Sequence, residues 1–86
     1  MEIEYSSHFR RAYSKLEIVI QKKAETVERL FRKNPFDPRI DTHKLKGKLK
    51  PWWSLSVDYH NRIVFKFVKA HSKVVFLDVG HHDIYR

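Results

Sequence analysis

From residue 16 to residue 31 the apolar side chains Leu16, Ile20, Ala24, Val27, Leu30 and Phe31 recur at three- and four-residue intervals, with Lys22, Glu25, Glu28 and Arg29 between them. That spacing lays the apolar set along one stripe of an α-helix. A residue ahead of proline is pushed out of the helical region, so this helix is predicted to stop near Lys33, before Asn34-Pro35. A shorter helix precedes it: Ser6 or Ser7 can cap its start, and Phe9, Ala12 and Tyr13 keep helical spacing through Ser14. Ser14-Lys15-Leu16-Glu17 then has the spacing of a capping box, whose hydroxyl and carboxylate satisfy the free amide donors of a new helix. The two helices are therefore predicted to form a hairpin.

After Pro51 the period changes to two. Trp53, Leu55 and Val57 alternate with Trp52, Ser54, Ser56 and Asp58, the pattern of a half-buried strand. Tyr59-His60-Asn61 is predicted to turn, Arg62 to Val68 to form a second strand with Ile63, Phe65 and Phe67 inward, Ala70 to Ser72 to turn again, and Lys73 to Val79 to form a third strand. Met1 to Tyr5, with Ile3 between Glu2 and Glu4, reads as a short strand that the downstream sheet completes. This order implies an α+β domain: an N-terminal strand, a helical hairpin, then a three-stranded antiparallel meander, with the helices covering one sheet face and leaving the other open.

Composition narrows the functional classes. Eighty-six residues suffice for one domain over 1–86, and a chain of this size buries only about 60% of its extended surface, too little for a second domain or a dinucleotide cleft. The absence of cysteine excludes a disulfide scaffold, a thiolate zinc site, an iron–sulfur cluster and a cysteine nucleophile. No apolar stretch approaches the roughly 20 residues that span a bilayer, and the acidic, polar Met1 to Ser7 lacks the apolar core of a secretory signal, so a soluble cytoplasmic protein without membrane contact is expected.

The net charge of +8 is concentrated in the second helix and in the connector before the sheet. The connector 34–51, bracketed by Pro35, Pro38 and Pro51, carries Lys44, Lys46, Lys48 and Lys50 at every second position, which in an extended chain would share one side. Such a row suits a polyanion backbone, and it equally suits an edge strand kept from aggregating by lysine. A connector of this length without secondary structure of its own is more often functional than not.

The candidate chemistry comes from six histidines and Arg62. Two imidazoles and a guanidinium converging on a phosphodiester suffice for transesterification by a ribose 2′-hydroxyl without a metal or cofactor. One imidazole removes the 2′-OH proton, the other protonates the departing 5′-oxygen, and the guanidinium offsets charge building on the phosphoryl oxygens. Plainer readings stand beside this one. Adjacent His81 and His82 on a strand end point apart and lack partners with metal-ligand spacing. His8, His60 and His71 fall in turns or at a helix start, where surface residues are the norm. Alternation sends one of Trp52 and Trp53 into the core and leaves the other as a candidate platform for bases.

Four blocks together resemble a known family: Phe31-Arg-Lys-Asn-Pro-Phe36, Thr42-His-Lys-Leu-Lys-Gly47, Trp53-Ser54 followed by Arg62-Ile-Val-Phe65, and Leu77-Asp-Val-Gly-His-His-Asp-Ile-Tyr-Arg86. Over nearly the whole chain the sequence resembles the RelE/ParE superfamily of toxin–antitoxin modules, most closely the RelE-like mRNA interferases that include YoeB and YafQ. The resemblance implies a ribosome-dependent endoribonuclease that cuts mRNA in the A site and is held inactive by a cognate antitoxin. It also implies roles. His43 falls where some members carry a general base, Arg62 where they contact phosphate and transition state, His82 where they place a general acid, and Tyr85 where a base is stacked. Lys44, Lys46, Lys48 and Lys50 lie where relatives touch RNA. Since the superfamily also holds ParE, a gyrase inhibitor without nuclease activity, the alternatives are a ParE-like gyrase inhibitor and a plain nucleic-acid-binding module.

Overall fold

A computed structural model of the chain describes residues 1–47, 51–70 and 72–81. Its elements are β1 (Glu2–Tyr5), α1 (Ser7–Ser14), α2 (Ile18–Lys33), a 3-10 turn (Pro38–Ile40), β2 (His43–Lys44), β3 (Trp53–Ser56), β4 (Asn61–Phe67) and β5 (Lys73–His81). The strands form one five-stranded sheet in the order β1-β5-β4-β3-β2, with β1 parallel to β5 and every other pair antiparallel. The expected α+β arrangement is present, with β2 added to one edge from inside the connector. Two residues are too few to leave a periodic signal, so alternation had no means of showing β2.

The first helix begins as predicted. Ser6 is extended (φ −66°, ψ 159°) and its Oγ accepts from the Phe9 amide at 3.0 Å. The same hydroxyl donates to the Leu77 carbonyl at 3.2 Å, so the cap also docks α1 on β5. The capping box at Ser14 does not form. Ser14 is the last residue of α1, its hydroxyl donates to the Arg11 carbonyl at 2.7 Å, and α2 opens after Glu17 with no side-chain cap. The hairpin is closed by Gln21, whose Nε2 donates to the Tyr13 carbonyl at 2.9 Å. At the other end of α2, Asn34 is extended (φ −155°, ψ 105°) ahead of Pro35, and the helix stops at Lys33.

The apolar stripe of α2 meets the sheet at Phe31, whose ring lies edge-on to Phe65 at 5.0 Å and to Phe76 at 5.7 Å. Phe31, Phe65 and Phe76 are fully buried, and Phe9, Val27, Leu55, Ile63, Val74 and Val79 complete the core. Trp53 is the inward tryptophan, edge-on to Phe67 at 5.3 Å and to Phe36 at 5.7 Å.

Strict alternation fails in β5. Val64 pairs with Asp78 but the next residue, Phe65, pairs with Phe76, so Leu77 is an extra residue in a β-bulge. The bulge turns Phe76 and Val79, three positions apart, onto the same core side and sends Asp78 to the opposite face. That opposite face is less open than alternation implies: Ser54 and Val64 point away from the helices yet are 0% and 2% exposed. Within the described part of the lysine row, Lys44 opposes Trp53, Leu45 is buried and Gly47 has φ +71°, a left-handed conformation open to glycine.

Candidate functional site

Cross-strand register assembles the face opposite the helices. His43 on β2, Ser54 on β3, Val64 on β4 and Asp78 on β5 stand in one row, and Ser56, Arg62 and Gly80 form the next. His43 and Arg62 therefore share a side of the sheet, two strands and one row apart, or about 12 Å at ordinary strand spacings. No hydrogen bond or ion pair joins the two side chains among the described residues.

His43 is held by the bend that precedes it. Asp41 adopts a left-handed conformation (φ 50°), which turns its carbonyl back to within 3.0 Å of His43 Nδ1. With Nδ1–H donating to that carbonyl, Nε2 is the nitrogen left to accept a proton, the tautomer a general base requires. The ring is 45% exposed and within reach of solvent-borne ligands.

Arg62 is half-buried and pinned. Its Nη1 donates to the carbonyls of Asp58 at 2.9 Å and Asn61 at 3.4 Å. The β3–β4 turn that supplies these carbonyls is itself tied by Asp58, whose Oδ1 accepts from the His60 amide (2.9 Å), the Asn61 amide (2.8 Å) and the Asn61 side chain (3.1 Å), while Lys23 Nζ lies 3.5 Å from Oδ2. Burial pushes the Asp58 carboxyl upward, but these donors and the Lys23 charge outweigh it and hold the group below its ordinary value. A guanidinium preorganised in this way offers its remaining donors to an anion at little cost in reorganisation.

Two groupings escaped sequence reading. His60, expected to be an ordinary surface residue, stacks on His81 with ring centroids 6.0 Å apart and planes 18° apart, and Tyr59, 85% exposed, meets His60 edge-on at 5.0 Å. This exposed aromatic step adjoins Arg62 because Asn61 pairs with His81 and Arg62 with Gly80. His8, also expected to be an ordinary surface residue, lies with Nε2 at 3.1 Å from Asp78 Oδ1. No local signal links residues from opposite ends of the chain, and the β-bulge that turns Asp78 outward is invisible to alternation. Lys44 and Lys46 are exposed at the β2 edge. Lys48, Lys50, His82 and Tyr85 lie outside the described residues. Among the described residues no three His, Asp or Glu side chains come together as metal ligands.

Comparisons with known proteins agree with this architecture. The sequence model of HigB-like toxins, described as RelE-like toxin of type II toxin–antitoxin system HigB, matches residues 3–81. No curated protein matches the chain. Among solved structures, the chain is similar to the YoeB/ParE toxin from Agrobacterium tumefaciens, with a TM-score of 0.79 and 16% identity over 95% of this chain and 99% of that one. It is similar to YafQ from E. coli, with a TM-score of 0.72 and 20% identity over 94% and 92% of the two chains. A chain of the RelBE2 toxin–antitoxin complex from Mycobacterium tuberculosis aligns at 25% identity and a TM-score of 0.70 over 93% of this chain and 88% of that one.

Proposed function

Because the chain belongs to the RelE-like toxins of type II toxin–antitoxin systems, we propose that it is a ribosome-dependent mRNA endoribonuclease that acts in the cytoplasm and is neutralised by a cognate antitoxin. In this reading His43 Nε2 takes the proton of a ribose 2′-hydroxyl, and O2′ attacks the adjacent phosphorus. Arg62 offsets charge on the nonbridging oxygens, and His82 protonates the departing 5′-oxygen. The products are a 2′,3′-cyclic phosphate and a 5′-hydroxyl, with no metal required by the balance of atoms. Lys44, Lys46, Lys48 and Lys50 hold the phosphate backbone, and Tyr85 stacks on a base.

The observation that carries this reading is the placement of His43 and Arg62 on one sheet face, each oriented by a backbone carbonyl of a preceding turn. The similarity to the RelBE2 complex supports the antitoxin, and a chain of net charge +8 suits an acidic segment folding upon it. The likeness to a YoeB/ParE toxin keeps a second reading in play: a ParE-like inhibitor of DNA gyrase without nuclease activity. Induced expression separates the two. The nuclease reading expects growth arrest with cut messages and a supercoiling activity of gyrase that is unchanged. A His82→Ala chain that remains fully toxic contradicts the assignment of the acid.

A further inference from the structure

Beside the row that holds His43, the same face carries an open depression of about 380 Å³ lined by Ser6, His8, Trp52, Leu77 and Asp78. Trp52 supplies a flat aromatic surface and Leu77 an apolar one. Asp78 supplies the polar edge. Its Oδ1 is committed, accepting from the Val79 amide at 2.8 Å and facing His8 Nε2 at 3.1 Å. Its Oδ2 takes no hydrogen bond among the described residues, and the side chain is 27% exposed. Ser6 Oγ is spent on the Phe9 amide and the Leu77 carbonyl, so it adds no free donor. The chemistry on offer is therefore one stacking plane and one oriented hydrogen-bond acceptor.

Asp78 lies one strand and one row from Arg62, about 8 Å at ordinary strand spacings. A nucleotide whose phosphate rests on Arg62 can place its own base, or a neighbouring one, in this cavity. We propose that the Trp52–Asp78 cavity is a base-selecting subsite that takes an RNA base with an exocyclic amino group and discriminates against uracil. Adenine, cytosine and guanine each present an amino group to an acceptor, whereas uracil's single ring N–H sits between two carbonyl oxygens that a carboxylate repels. His8 acts as a positioning residue that fixes the Asp78 carboxylate. The inference rests on the reading of the chain as an RNA-cleaving toxin and adds the base preference of that site.

The test is binding of fluorescently labelled 2′-O-methyl trinucleotides of A, C, G and U, which lack the attacking hydroxyl and so report recognition apart from cleavage. The native chain is expected to bind the U trinucleotide weaker than the other three by about tenfold or more. Asp78→Asn, which replaces the free acceptor with an amide of the same shape, is expected to bring that ratio close to one. Trp52→Leu is expected to weaken all four by about tenfold, as loss of a stacking platform does. Equal binding of the four by the native chain, or an unchanged ratio in Asp78→Asn, overturns the subsite and leaves the nuclease reading standing if mRNA is still cut. Selective binding by a chain that cuts no mRNA overturns the nuclease and keeps the subsite, and a chain that neither binds nor cuts overturns both.

Discussion

Arg62 donates through Nη1 to the carbonyl oxygen of Asp58 at 2.9 Å, so a guanidinium on β4 is anchored to the very turn that delivers the strand. A lysine has no second nitrogen to divide between an anchor and a ligand. Arg62→Lys is therefore expected to lower mRNA cleavage by about 10²-fold or more, the scale of removing one oriented donor from a charged transition state. Thermal unfolding of the variant should stay close to that of the native chain. Cleavage within a few-fold of native would show that the guanidinium is structural.

The Phe31 ring, edge-on to both Phe65 and Phe76, joins α2 to the centre of the sheet. Phe31→Ala removes a fully buried ring and is expected to cost about 3–5 kcal/mol in urea unfolding, a large part of the stability of a domain this small.

How legible these features are in the sequence depends on the physics behind each. The α2 stripe and its end at Lys33 could be read because helical period and the conformational limit ahead of Pro35 are local rules. The capping box misled because spacing alone does not say which carbonyl captures a serine hydroxyl, and that of Ser14 goes to Arg11. The Val74-Val75-Phe76-Leu77 run is apolar throughout, so it gives no parity from which to place a bulge. Without the bulge, Asp78 cannot be assigned to the face it shares with His43. His43 and Arg62 stand out in the sequence by family resemblance and residue chemistry. Their common face follows only from the β2–β3–β4 register.

Ser54 lies between His43 and Val64 in the cross-strand row, fully buried, and among the described residues its hydroxyl has no hydrogen-bond partner. An unpaired hydroxyl withdrawn from water costs about 1–3 kcal/mol. Ser54→Ala is accordingly expected to raise the midpoint of thermal unfolding by several degrees, about 4–8 °C per kcal/mol in a domain of this size. A lower midpoint would show that the hydroxyl is satisfied in solution.

Acid should weaken two turns, the one that carries Arg62 and the 3-10 turn capped by Asp37. Asp58 is held below its ordinary value, and hydrogen bonds from the Arg39 side chain and amide hold the Asp37 carboxyl at about 2. Both groups bind protons less readily folded than unfolded. Their stabilising effect is thus complete above the unfolded value of about 3.9 and is lost as pH falls through that value towards the folded one. Asp58→Asn should flatten this limb: its melting temperature is expected to fall less than that of the native chain between about pH 5 and about pH 2.5. An identical drop in both chains would show that Asp58 contributes nothing to the acid sensitivity.

In the proposed mechanism His43 and Arg62 act on one phosphodiester from one face of the sheet. Primer extension on mRNA in a translating extract, with purified chain added beside a gyrase supercoiling reaction, tests it most directly. The native chain is expected to produce discrete cuts with a 5′-hydroxyl on the downstream fragment and to leave supercoiling unchanged. His43→Ala is expected to slow cutting by about 10²–10⁴-fold, the range supplied by a general base, with its unfolding midpoint preserved. Intact mRNA alongside inhibited gyrase, or full-rate cutting by His43→Ala, would rule this mechanism out.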